Sequence, residues 1–478
     1  MQKDEKGITI KKEDNFSEWY TQIVQKAELI EYSRISGCYI IRPRAYAIWE
    51  KIQEYFDKKI KELGVKNCYF PLFIPETLLQ KEAKHFEGFS PEVAWVTEGG
   101  SSKLNEKLAI RPTSETIMYD TYSKWIRSYK DLPLKLNQWC NVVRWEFKHG
   151  VPFLRSREFL WQEGHTAFAT KKEAEEEAYQ ILEYYTEIFE KVLAVPVFKG
   201  RKTENEKFAG ADMTLSVEAM LPNGKAVQGA TSHNLGQNFS KSFDIKFTNK
   251  NEQFENVYQN SWGISTRSIG IAVMIHSDDK GLVLPPNVAE NKIVIIPILA
   301  DKDKNINKKA RELGILLKQF NPIVDNREGY SPGWKYNEWE LKGIPIRIEI
   351  GPRDLKSKQA VIVLRHNGKK EIIKLSSLKS KIQESLETIQ DDLYKKAKIH
   401  MKTLIDDTTD SKSFEKTLKS NRIALIDWCN NSVCEEKIKN TYEGVKSINI
   451  PLNTKPKGKK CISCGQESQV RCFFGKCY

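Results

Sequence analysis

Arg144-Trp145-Glu146-Phe147-Lys148-His149, followed by Arg155-Ser156-Arg157 and Trp161-Gln162-Glu163-Gly164-His165, gathers arginine, glutamate and tryptophan into short runs. Around it, from Leu108 to Glu163, apolar runs alternate with turn residues, which predicts an antiparallel sheet. Strand alternation would place Arg144 and Glu146 on one face. There an arginine offers a planar, permanently charged fork for phosphate or carboxylate, and a nearby glutamate can accept from an amino group. A surface ion pair would show the same triplet, so its neighbours must decide. No glycine-rich phosphate loop precedes a helix in the chain, so a nucleotide would have to be held by an arginine-bearing sheet of this kind.

Upstream, Asn15 can cap a helix whose Phe16, Trp19, Tyr20, Ile23, Val24, Ala27 and Ile30 follow the spacing of one buried face. A second helix starts at Pro43 and ends at Gly64. Val65 to Ile74 reads as a strand whose Pro71 puts it at a sheet edge or strand end. Downstream, Lys171 to Leu193 predicts an amphipathic helix with acids in its first turns. Met213 to Met220 and Lys225 to Thr231 form a hairpin about Pro222-Asn223-Gly224, and Ile264 to Ile275 continues as a helix.

Pro285-Pro286 closes this first unit. Ile293 to Leu299, a lysine-rich helix from Asn305 to Gln319, Ile344 to Ile350 and the hairpin Ala360 to Lys374 predict a separate α/β unit. A charged helix from Ser376 to Asp406 leads into a third unit that carries most of the cysteines and a basic run, Lys455 to Lys460. The expected domains are 1–286, 287–395 and 396–478.

Lys and Arg exceed Asp and Glu by 13, which fits a polyanionic partner and equally a lysine-rich solvated surface. No run approaches the roughly 18 apolar residues of a membrane span. The polar N-terminus lacks the apolar core of a secretion signal, so a cytosolic protein without a membrane partner is expected. Cys38, Cys68 and Cys140 are scattered, whereas Cys429, Cys434, Cys461 and Cys464 form two hooks suited to a four-thiolate structural zinc site. Cys472 and Cys477 read as buried thiols that could still compete for metal. His149, His165 and His233 lack the close spacing of a zinc enzyme, so no catalytic metal held by protein ligands is expected.

Tyr69-Phe70-Pro71, the Arg144/Glu146 pair and Gly263-Ile264-Ser265-Thr266-Arg267 together resemble the three motifs of class II aminoacyl-tRNA synthetases. Ala109 to Thr116, Phe153 to His165, Lys207 to Ala211 and Gln228 to His233 narrow the resemblance to prolyl-tRNA synthetase of the archaeal and eukaryotic type, over nearly the whole chain. The resemblance implies an α+β catalytic domain on a central antiparallel sheet, an α/β anticodon-binding domain and a small α/β zinc-binding C-terminal domain. It implies ATP-dependent attachment of L-proline to tRNA(Pro) through a prolyl-adenylate, with release of pyrophosphate and AMP, by a cytoplasmic homodimer whose interface includes Pro71 and its strand. It further implies a proline site at Thr113, Glu115, Arg144, Phe208 and His233, and ATP contacts at Arg144, Glu146, Arg155, Ser156, Gln228, Thr231, Ser265 and Arg267. Arg144 and Arg267 would be the catalytic pair. Mg2+ would be brought by phosphate charge rather than by a carboxylate cage. Anticodon contacts would fall on Glu340, Arg347 and Asp354, and the lysine-rich helix near Lys302 to Arg311 would be solvated or face phosphate. One helix and one hairpin occupy the span from Arg155 to Arg267, which leaves no editing domain in cis. Tyr478 would pack toward the catalytic domain with its carboxylate near the active site.

Overall fold

The computed structural model describes residues 7–83, 92–146, 150–301, 303–458 and 460–478. Phe147, Lys148 and His149 of the opening stretch, Lys302 of the basic helix region and Lys459 of the basic run lie outside the described residues.

Asn15 accepts from the Glu18 N–H at 3.0 Å and starts helix α1 (Phe16–Lys26), which buries Trp19, Tyr20, Ile23 and Val24. It stops short of the expected Ile30 because Glu28 takes a left-handed φ of 61° and Ile30 enters a two-stranded hairpin with Tyr39–Ile41. Helix α2 (Pro43–Glu62) has Pro43 in its first turn and ends before Gly64, as expected. The expected strand from Val65 to Ile74 is instead two fragments in different sheets. Strand β1 (Lys66–Asn67) joins the central sheet, and Phe73–Pro75 pairs with Ser102–Ile110 in a small three-stranded sheet. Pro71, lacking an N–H, lies between them where no ladder could pass through it.

The stretch from Leu108 to Glu163, expected to be all sheet, is not continuous sheet. Helix α3 (Glu115–Trp125) interrupts it and buries Met118, Tyr119 and Tyr122 on one face. Strand β2 (Leu134–Val143) then ends one residue before Arg144. Arg144 and Glu146 therefore do not alternate on a strand. Beyond the ladder, the Arg144 N–H donates to Arg157 O at 2.7 Å and the Trp145 N–H to Glu92 O at 2.8 Å.

The remaining strands of the central sheet are β3 (Glu158–Phe168), β4 (Val197–Arg201), β5 (Met213–Met220), β6 (Ala226–Gly236), β7 (Tyr258–Ser265) and β8 (Ile450–Pro451). Their order is β8-β4-β5-β6-β7-β3-β2-β1. Every pair is antiparallel except β1 with β2, so the sheet is mixed rather than wholly antiparallel. Helix α4 (Lys171–Glu187), entered through a Thr170/Glu173 capping box, covers one face of it. There Ser232 Oγ donates to Ala178 O at 2.9 Å, Asn260 Nδ2 to Ala174 O at 2.7 Å, and the Tyr185 hydroxyl to Gln162 at 2.9 Å. The other face is left for the site. Helix α5 (Arg267–His276) begins three residues later than the expected Ile264, since Ile264 still pairs within β7.

The second unit is a five-stranded sheet in the order Ile323–Val324, Ile293–Pro297, Ile346–Ile350, Gln359–Leu364 and Lys370–Lys374, parallel over the first three and antiparallel after. Between its strands sits helix α6 (Pro332–Leu341), opened by Ser331, whose hydroxyl accepts from the Trp334 N–H at 3.2 Å. Helix α7 (Leu378–Thr403) buries Leu378, Ile382, Leu386, Ile389 and Leu393 in the second core, and residue 395 lies within it. The third unit has a four-stranded sheet of Ile405–Asp407, Ile423–Trp428, Val470–Lys476 and Val445–Ser447. It contributes β8 to the central sheet by pairing Ile450 with Arg201. Among the described residues no helix is long and apolar enough to cross a membrane.

Candidate active site

Register across four strands builds the floor of a cavity on the face opposite α4. On β3 His165 lies opposite Ser261 of β7, Ser261 opposite His233 of β6, and His233 opposite Thr214 of β5. One row along, Glu163 lies opposite Gly263, and Gly263 opposite Thr231. Because Gly263 has no side chain, this second row stays open between Glu163 and Thr231. The cavity is about 270 Å³ and is lined by Thr113, Glu115, Arg144, Phe208, Gln228, Thr231, His233, Ser265 and Arg267. Three expected ATP contacts are not among its walls. Glu146 is exposed past the end of β2, Arg155 is exposed in the tight turn that its bond with Val151 closes, and Ser156 is buried beside it.

One end of the cavity is acidic. Thr113 Oγ1 donates to the Glu115 carboxylate, and both residues are buried. Beneath them, Glu163 accepts from the Ser114 hydroxyl, from Gln138 Nε2 at 2.6 Å and from His165 Nε2 at 3.1 Å. Burial opposes ionisation of Glu163, yet the bonds from His165, Ser114 and Gln138 hold its carboxyl below the usual range. Burial likewise opposes a charge on His165, and the Glu163 carboxylate reverses that and raises it. His233 has no such partner. Burial first, then the charge on His165, pushes it down to about 3, so it is a neutral imidazole at physiological pH. Its Nδ1 lies 2.9 Å from Thr214 Oγ1 and its ring packs on Phe208 with centroids 4.7 Å apart, which closes an apolar wall.

The other end is basic. Arg144 Nε donates to Pro112 O at 3.1 Å, and its guanidinium lies 5.6 and 5.5 Å from the Phe159 and Trp161 ring centres. Arg267 donates to Leu154 O at 3.2 Å and to Gln228 O at 3.4 Å. Burial, together with repulsion from Arg144 and Arg155 that Glu218 only partly offsets, pulls Arg267 down to about 10. Glu163, His165, Thr214, Phe159 and Trp161 also line this cavity, though the sequence motifs assign none of them a role. The alternation of Trp161, Glu163 and His165 along one strand face was the available signal.

Comparison with known proteins addresses what such a cavity serves. Residues 95–276 match the family model of the tRNA synthetase class II core domain (G, H, P, S and T), residues 292–385 an anticodon binding domain, and residues 411–478 the prolyl-tRNA synthetase C-terminal domain. The chain is 51% identical over 484 residues to the cytoplasmic proline–tRNA ligase of Arabidopsis thaliana, covering 99% of this chain and 91% of that protein. The chain belongs to the proline–tRNA ligase family. The proline–tRNA ligase of Encephalitozoon cuniculi is 46% identical over 501 residues, covering all of both chains. The bifunctional glutamate/proline–tRNA ligase of Cricetulus griseus is 49% identical over 503 residues, covering 99% of this chain and 33% of that protein.

The expected metal site of this ligase lies in the third unit. The sulfurs of Cys429, Cys434, Cys461 and Cys464 all lie within 4.8 Å of one another. Tetrahedral Zn–S bonds of about 2.3 Å would set them roughly 3.8 Å apart, so the four thiols fit that ion. Cys472 stands apart, fully buried with its Sγ toward Asn449 O at 3.4 Å. Tyr478 packs on the β5–β6 hairpin, donating its N–H to Ala226 O at 3.0 Å and accepting at its hydroxyl from Asn223 at 3.2 Å. In the second unit Arg347 meets Glu349 at 2.9 Å and Glu340 at 3.4 Å, with Tyr336 under its guanidinium at 4.1 Å. Asp354 instead accepts from the Gly351 N–H at 2.9 Å and caps a short helix.

Proposed function

We propose that the cavity activates L-proline with ATP and passes it to tRNA(Pro) in two steps. The observation that carries this reading is the pairing of an acidic pole, Glu115 above Glu163, with a basic pole, Arg144 and Arg267, across one small cavity. A cyclic amino acid has a secondary ammonium for Glu115 and Thr113, a carboxylate for Arg144, and an apolar ring for Phe208 and neutral His233. Its carboxylate attacks the α-phosphorus of ATP and pyrophosphate leaves, giving prolyl-adenylate. A terminal ribose hydroxyl of tRNA then attacks the acyl carbon, yielding prolyl-tRNA and AMP. No general base is required for the first step, so alignment and charge stabilisation by Arg144 and Arg267 supply the catalysis. Gln228, Thr231 and Ser265 line the nucleotide side, where Glu146, Arg155 and Ser156 act from the rim. Mg2+ enters with the triphosphate. Zinc at the four cysteines is structural, closing the loops that flank it.

The reading further includes tRNA contacts at Glu340, Arg347 and Asp354, a cytoplasmic setting, no editing domain in cis, and functional units of 1–286, 287–395 and 396–478. β3 to β7 and α4 occupy the span between Arg155 and Arg267, which supports the absence of an inserted domain. A homodimer is supported by the exposed Ile35, Ile40, Tyr69 and Phe73 around the N-terminal hairpin and Pro71. Pyrophosphate release with proline and ATP but no tRNA tests the two-step scheme. A burst matching the number of active sites is expected, and release only when tRNA is added would contradict it.

A further inference from the structure

Tyr330 and Trp334 stack face to face with ring centres 4.1 Å apart and planes 27° apart, yet Tyr330 keeps 45% of its surface in solvent. The pair is held rigidly. The Arg327 guanidinium lies 5.3 Å from the Tyr330 ring, 5.2 Å from Trp334 and 5.8 Å from Trp339. Two carboxylates fix that arginine in turn, Asp325 through Nε at 2.9 Å and Nη2 at 2.7 Å, and Glu338 at 2.5 Å. With both acids on it, Arg327 is neutralised locally and acts as a prop for the rings rather than as a phosphate ligand.

A preorganised aromatic face open to water suits a flat apolar partner. The surroundings specify which one. Trp334 lines a groove of about 720 Å³ that is also lined by Glu340 of the same helix, and Glu340 in turn meets Arg347 of the neighbouring strand Ile346–Ile350 at 3.4 Å. Trp334 and Glu340 are six residues apart on α6, a rise of roughly 9 Å, so the stack and the Glu340 carboxylate stand apart along the helix. The groove's walls mix lysines with a larger number of acids, Glu28, Asp279, Glu338 and Glu340, which suits base edges better than bare phosphate. We propose that the Tyr330–Trp334 stack is a platform for one unpaired nucleobase of the tRNA anticodon loop, separate from the groups at Glu340 and Arg347 that read base edges. This rests on the reading of the second unit as tRNA-binding.

The experiment uses the full chain and measures binding of an anticodon stem-loop RNA of tRNA(Pro). Tyr330→Ala should weaken binding roughly 5- to 100-fold, the range that base–aromatic stacking supplies, while Tyr330→Phe stays within about twofold. Proline-dependent ATP–pyrophosphate exchange, measured without tRNA, should be unchanged in both. An abasic nucleotide is then moved through the unpaired loop positions. At one position it should cost wild-type protein as much affinity as Tyr330→Ala does, and the two losses should fail to add. Full additivity at every position, or unchanged affinity in Tyr330→Ala, overturns the platform and leaves the pair as a staple at the start of α6. Arg347→Ala separates the two levels. If it weakens binding while Tyr330→Ala does not, only the platform fails, and if neither does, the tRNA reading of this domain fails with it.

Discussion

Lys202→Met should loosen the joint between the C-terminal unit and the catalytic sheet. Lys202 Nζ lies 2.6 Å from Glu218, with side-chain exposures of only 9% and 3%, and it also donates to Ile448 O at 2.8 Å. At an effective dielectric of about 20 a pair this close attracts by roughly 6 kcal/mol before desolvation is counted. Removing one partner of such a buried pair costs about 3–5 kcal/mol, because the carboxylate left behind is uncompensated. The cost falls on β4, where Ile450 of β8 docks against Arg201 beside Lys202. A chain of several units does not unfold in one step, so the assay is native-state hydrogen exchange of the β4 and β8 amides. Exchange should accelerate by roughly 10²- to 5 × 10³-fold, and Glu218→Gln added to Lys202→Met should restore most of the protection. Acceleration below about fivefold, or a double variant as labile as the single one, would refute the reasoning. Burial opposes the Lys202 charge, but Glu218 raises its pKa above the usual lysine value of 10.5. The pair's contribution is therefore complete at neutral pH and fades only as pH climbs past 10.5.

Burial holds His233 down to about 3 and His276 down to about 4, so the unfolded chain takes up protons that the folded one refuses. Stability should fall by about 1.4 kcal/mol per pH unit per histidine as pH drops below 6.5, and calorimetry should find a shallower slope in His276→Gln. Cys461→Ala or Cys464→Ala should release zinc and Cys472→Ala should retain it, as read by metal analysis of the purified protein. Gly164→Ala should cost at least about 1–3 kcal/mol, since its Cβ would meet the Trp262 ring at 2.2 Å while Phe56 packs edge-on behind that ring at 5.9 Å. A melting temperature like that of wild type would contradict this packing.

The sequence shows this fold where one rule governs a segment. Asn15 before an apolar stripe, Pro43 in a first turn and Gly224 in the β5–β6 turn each act locally, and each sits where it was expected. It is silent where two rules compete. Thr113 to Thr116 carries turn-like hydroxyls, yet Tyr119 and Tyr122 find a core that draws the chain into α3. Arg144 looked like a strand residue because β2 runs up to its neighbour, and only the ladder's end places it at the rim of the cavity. Thr113, Glu115, His233 and Arg267, which the family resemblance singles out, converge on one cavity. Glu163, Thr214 and the neutrality of His233 depend on which strands become neighbours, which spacing along a chain does not specify.

Amino-acid-dependent exchange of pyrophosphate into ATP, run with each amino acid in turn, tests the central claim most directly. Proline should support exchange, and Glu115→Ala and Arg267→Ala should each abolish most of it while leaving the fold intact. Exchange with another amino acid but none with proline would contradict the account.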